Sequence, residues 1–247
     1  MDRTARQQLA RELCQRLAAQ PGTVMVVAGM IEPPAPLTDF DPLEVLAVVE
    51  STVTRPLHSF IVQNLPVTIH TIAAAELATV VDAPDLRWAQ WLGWLATLQP
   101  LIGDGHKVSE WLAQAGTLAE IDFHRSILPH LPQLVFGVYG ELRAAAARRY
   151  EREAVLLAPA LLAELHTALC LINRRWPTQR RFAGIMESFS FPLQPRDWPQ
   201  LAEELLNAHQ LDEIVRVAGT LVANYWQLLV RCSLTIESHQ TIATAPL

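Results

Sequence analysis

The chain has 247 residues, 51% of them hydrophobic and 18% charged, with a net charge of −6 at neutral pH. This is ample material for a buried core, and the acidic balance argues against a basic surface that tracks phosphates, so nucleic acid is not expected as a main partner. Cys14, Cys170 and Cys232 are widely spaced and form no C-x-x-C pair, which suggests neither a disulfide framework nor a zinc ribbon and fits a reducing, cytoplasmic setting.

The opening MDRTARQQLARELCQRL places Leu9, Leu13 and Leu17 on one helix face and lacks the continuous apolar stretch of a signal peptide, so no export is expected. The β-branched run from Thr23 to Gly29 reads as a strand that leaves the core into a proline-rich loop, Glu32-Pro-Pro-Ala-Pro36. A second apolar run, Val45 to Val49, follows Asp39, Asp41 and Glu44. A third, Pro66 to Ile72, alternates like a half-buried strand, which places three strands in the first 72 residues.

From Ala73 the period becomes helical and is expected to stay so. Trp88, Trp91, Leu92, Leu95 and Leu98 share one spacing, and Val108, Trp111, Leu112 and Ala115 another. Pro129 and Pro132 should interrupt any helix that begins near Ile121, so a stable helix is expected from Pro132 past Leu142. A further helix carries Leu161, Leu165, Ala168, Leu169 and Ile172. Asp197 is placed to cap one containing Leu201 and Leu205, and a last long one shows Leu211, Val215, Ala218, Val222, Tyr225 and Leu229. Glu237 to Leu247 loses periodicity and should fray. The longest apolar run, Ala154 to Leu165, is cut by Pro159 and falls short of the roughly 20 residues a bilayer requires, so no membrane span is expected.

The segment that bears on chemistry runs from Val26 to Glu50: strand, glycine, loop, then acids entering a second strand. Nucleotidyl transfer uses Mg²⁺ held by hard oxygen ligands, and carboxylates at i and i+2 of one strand share a face and can share metal. A glycine closing the preceding strand lets backbone amides approach phosphates, and Gly29 stands there. On Gly29-Met30 and Asp41-Pro42-Leu43-Glu44-Val45-Leu46, the sequence resembles the kanamycin nucleotidyltransferase family, within the polymerase-beta-like nucleotidyltransferases, whose signature is Gly-Ser, a spacer, then Asp-x-Asp/Glu before an apolar strand. The likeness extends along most of the chain, through Asp85-Leu-Arg-Trp88, Leu98-Gln-Pro100 and Phe123-His124.

The resemblance implies an α+β protein: an N-terminal mixed-sheet nucleotidyltransferase-like α/β domain over residues 1–120, then a C-terminal antiparallel helical bundle over 121–247 that helps bind an acceptor. It also implies pairing of two subunits, nucleotide contact at Gly29 and Met30, metal at Asp41 and Glu44, and an acceptor-side place for His70. The departures gather where that chemistry would be. Met30 replaces the signature serine, and Pro42 takes the first metal-ligand position if Glu44 takes the second. Asp41 is the nearest substitute, yet it is three residues from Glu44 and so faces the other way on a regular strand, unless a bulge at Pro42 brings the two together. His70 brings an imidazole, a poor Mg²⁺ ligand, to the third strand. Gly137 stands where the family has its glutamate base, and Glu141 where it has a phosphate-contacting lysine.

The remaining residues read as structural. Asp39, Asp41 and Glu44 taken alone are ordinary turn and strand-edge acids, and His124 and His130 do not share a helix face. The tryptophans at 88, 91, 94 and 111 suit core packing, though an aromatic wall beside a cleft has the same spacing. Arginines 148, 149, 152, 174, 175, 180 and 181 suit solvated helix ends, and no serine sits in a G-x-S-x-G elbow. The expectation is a catalytically impaired relative, a pseudoenzyme that needs no cofactor and keeps its cleft for a nucleotide, another small molecule or a protein partner. The alternatives are an active Mg²⁺-dependent enzyme transferring a nucleoside monophosphate to a hydroxyl of an aminoglycoside-like acceptor, and a protein that interacts through its helical surface alone.

Overall fold

The computed structural model describes residues 3–31, 41–51, 56–179 and 181–236. Within it the chain forms two compact units, Met1–Ala119 and Glu120–Leu247.

The first unit is built on a five-stranded mixed sheet: β1 (Thr23–Ile31), β2 (Leu43–Val49), β3 (Leu57–Val62), β4 (Leu65–Ala73) and β5 (Leu98–Ile102), in the order β3-β4-β2-β1-β5. The β2–β4 pair is parallel and the other three pairs are antiparallel. Strand β3 was not anticipated; it joins β4 through Gln63 and Asn64, whose φ angles of 49° and 67° make a two-residue hairpin turn without the glycine that would have flagged it. Strand β5 overturns the expectation of continuous helix after Ala73. Leu98 continues the apolar helical spacing, but helix α3 (Trp88–Thr97) stops before it, and the chain turns to pair with β1. Pro100 costs no ladder bond on the outer side, since β5 is an edge strand.

Alternation along β2 assigns the two sheet faces. Leu43, Val45 and Ala47 pack with Val26, Ala28, Val67 and Ile69 against Ala10, Leu13 and Cys14 of α1 (Arg3–Ala18). Leu9 and Leu17 flank that cluster, as their spacing predicted. The opposite face carries Glu44 and His70, whose imidazole packs on tryptophans of α3. Helices α2 (Ala74–Asp82) and α4 (Gly105–Ala115) complete the unit, with Asp104 capping α4 by accepting the Lys107 amide at 3.1 Å.

The second unit is helical. Its α-helical start is interrupted at the prolines as expected: α5 (Glu120–Ile127) gives way to a 3₁₀ turn over Leu128–His130, and a wide π turn over Gln133–Gly137, which was not expected, leads into α6 (Val138–Ala147). The prolines alter the winding without ending the path. Helix α7 (Glu151–Asn173) runs through Pro159. Among the described residues it is the one helix long and apolar enough to cross a membrane, by length and composition only, and 56% of that span is buried inside the structure. Helices α8 (Arg181–Glu187), α9 (Trp198–Asn207) and α10 (Leu211–Arg231) follow. The core joins Leu142, Leu161, Leu165, Trp198, Leu205, Val217 and Leu228, and the buried Tyr225 hydroxyl donates to the Leu165 carbonyl at 2.9 Å. The Trp198 indole donates to Ser188 at 2.8 Å. Asp197 precedes α9 as expected but does not cap it: its φ is 55° and its side chain makes no cap bond. The Glu32 to Pro36 loop, Asp39, Arg180 and the segment from Glu237 onward lie outside the described residues.

Candidate functional site

Glu44 is the acid that alternation sends into the interior; the residue is 2% exposed. Its partner across the sheet is set by the parallel register, in which Glu44 lies opposite Thr68 and Leu46 opposite His70. Two register positions farther along, on the same face, the His70 Nε2 lies 2.8 Å from Glu44 Oε2. A carboxylate withdrawn from water needs a hydrogen-bonding or charged partner, and this imidazole is one. The histidine side chain keeps 22% exposure while that of the glutamate keeps 3%, so the pair is reached from its imidazole end.

Trp91 and Trp94 of α3 border that end. The Trp94 ring centroid is 4.3 Å from that of His70 and Trp91 is 6.3 Å away, edge-on, while the two indoles meet at 89°. Trp88 is fully buried, as core packing requires, and Trp91 and Trp94 are half-buried beside His70. The Trp94 Nε1 is buried with no hydrogen-bond partner.

Asp41 is not brought into this arrangement by the ladder. Regular pairing of β2 starts at Leu43, so Pro42 precedes it and makes no bulge within it. The main-chain carbonyl of Asp41 instead accepts a bond from Arg6 Nη1 at 2.8 Å, from α1, the helix on the opposite face. Arg6 is 1% exposed and was not singled out from the sequence. Its position four residues before Ala10 and seven before Leu13, on the apolar stripe, was the available signal.

Gly29 pairs with Glu44 on one side and Pro100 on the other. A Cβ there would run into the Gln99 carbonyl and the Leu98 side chain, so the close approach this glycine permits is that of β5, at a register shift between Ala28 and Gly29. Met30 pairs with Leu43 and Gln99 through its backbone. In the second unit, a Cβ on Gly137 would meet the Gln133 side chain, and Glu141 is exposed on α6. His124 is 3.6 Å from Glu120 one helical turn away, and His130 is exposed.

No family model matches the chain, and no curated protein matches it. Among solved structures it is similar to a nucleotidyltransferase-like protein from Exiguobacterium sibiricum, at 17% identity and a TM-score of 0.52, over 91% of this chain and 74% of that one. The fold is nucleotidyltransferase-like. At that identity the similarity carries architecture and not activity. What a nucleotidyltransferase-like sheet can do here depends on its donors. A hard divalent cation takes several oxygen ligands; this face brings the Glu44 carboxylate to the His70 imidazole, and among the described residues no group of three or more His, Cys, Asp or Glu could hold a metal ion.

Proposed function

We propose that this chain is a nucleotidyltransferase-like protein that does not carry out Mg²⁺-dependent nucleotidyl transfer and uses the face around Glu44 and His70 as a binding or interaction site. The observation that carries the proposal is the 2.8 Å contact between Glu44 Oε2 and His70 Nε2. The acid best placed to hold metal is committed to an imidazole. A protonated imidazole would repel an incoming cation, and a neutral one is a poor ligand for it. The half-buried indoles of Trp91 and Trp94 supply apolar surface beside a polar anchor, the usual composition of a small-molecule site.

Calorimetric titration of the full chain with ATP or GTP, with and without Mg²⁺, tests this. No Mg²⁺-dependent binding is expected at millimolar nucleotide. Metal-dependent binding that both Glu44→Ala and Asp41→Ala abolish would overturn the proposal and restore an active transferase acting on a hydroxyl acceptor.

A further inference from the structure

The second unit has an open surface pocket of about 600 Å³ between the chain leading into α9 and one polar stripe of α10. That volume lies in the range that holds small ligands. Its polar lining comprises Gln194, Arg196, Asp197, Asn224, Gln227 and Arg231.

The wall is preformed. Asn173 of α7 holds Leu193 twice, donating to its carbonyl at 2.7 Å and accepting its amide at 3.0 Å. Asn224 donates to the Arg196 carbonyl and Arg231 Nη2 to the Gln194 carbonyl, both at 2.9 Å. The Gln194 amide nitrogen is used as well, on the carbonyls of Phe189 and Phe191 at 3.3 and 3.0 Å. Side chains from two helices thus fix the segment, so a ligand would meet little ordering cost.

Two departures from local rules fall on the same wall. Asp197, an excellent capping residue one position before α9, leaves the helix uncapped, sits at a φ of 55°, and has Oδ2 3.4 Å from Arg196 Nε. Gln194 Oε1 is buried and has no hydrogen-bond partner. Departures of this kind are expected at functional or strained sites.

Both signs of charge line the pocket. Arg231 uses one nitrogen on Gln194, and its guanidinium retains further donors in a fork suited to a carboxylate. Arg196 adds a second cation, and Asp197 supplies the one carboxylate among the lining residues. We propose that this pocket binds the zwitterionic head of an α-amino acid, with its carboxylate on Arg231 and Arg196 and its ammonium on Asp197.

The probe is L-alanine, whose small side chain leaves no steric objection, titrated into the full chain by calorimetry, with acetate and methylammonium as single-charge controls. Saturable binding is expected, weakened about tenfold or more by Asp197→Asn and by Arg231→Gln, with either control at least about tenfold weaker than L-alanine. Asp197→Asn keeps the shape and tolerates the same φ, so it separates loss of charge from loss of the wall. Failure to saturate by about 10 mM, acetate binding as tightly as L-alanine, or affinity untouched by Asp197→Asn overturns the proposal.

Discussion

The His70 imidazole and the Glu44 carboxylate meet at 2.8 Å across two adjacent parallel strands, 26 residues apart in sequence. Removing the imidazole leaves a carboxylate that is 3% exposed with fewer bonds. His70→Ala is therefore expected to destabilise the chain by about 1–3 kcal/mol, and Glu44→Gln, which keeps shape and an amide partner, by about 1 kcal/mol. Urea midpoints at unchanged m-value measure both. A His70→Ala protein as stable as the wild type would mean that the contact does not hold the acid in place.

The glycines separate packing from flexibility. Gly29→Ala drives a methyl into the β5 backbone at Gln99 and is expected to cost about 1–3 kcal/mol. Gly140, exposed in α6 with nothing within 4 Å of an added Cβ, should instead gain about 0.5–1 kcal/mol on change to alanine. Thermal melts of the two variants should move in opposite directions.

His166 sets an acid limit on stability. Burial pushes its imidazole down from 6.5 to about 4, with a backbone bond to Gly184 opposing. The folded chain then keeps it neutral while the unfolded chain takes up a proton as pH falls below 6.5. Its contribution is present in full above pH 6.5 and is lost progressively toward pH 4, a fall on the order of 3 kcal/mol. Unfolding free energies across that window should flatten in His166→Gln; an unchanged slope would assign the acid sensitivity to other groups.

Thiol reactivity should be graded. Cys14 and Cys170 are buried, and burial pushes both thiols up, Cys170 to about 12. Neither is expected to react with a disulfide reagent before unfolding, whereas Cys232, half-buried, is expected to react first. Rapid release of two thiols from native protein would contradict this packing.

Local pattern was enough for much of this protein. The amphipathic spacing of Leu9, Leu13 and Leu17, the alternation of β4 and the long periods of α7 and α10 each follow from which face must be apolar, and that is written in consecutive residues. Elements whose signal depends on neighbours were not legible in that way. Strand β5 looks helical at Leu98 until β1 offers it a ladder, the β3–β4 turn uses Gln63 and Asn64 where glycine would have announced it, and Pro159 is absorbed within α7. The candidate site divides along the same line. Glu44 and His70 each stood out by residue type, one for metal and one for an acceptor, but only the parallel pairing of β2 with β4 makes them one unit. Arg6 on Asp41, the Gln99 carbonyl against Gly29, and the uncapped Asp197 beside Arg196 are likewise contacts between distant segments or choices among competing local bonds. Tertiary structure decides such contacts because their free energy exists only once both partners have been brought together and withdrawn from water.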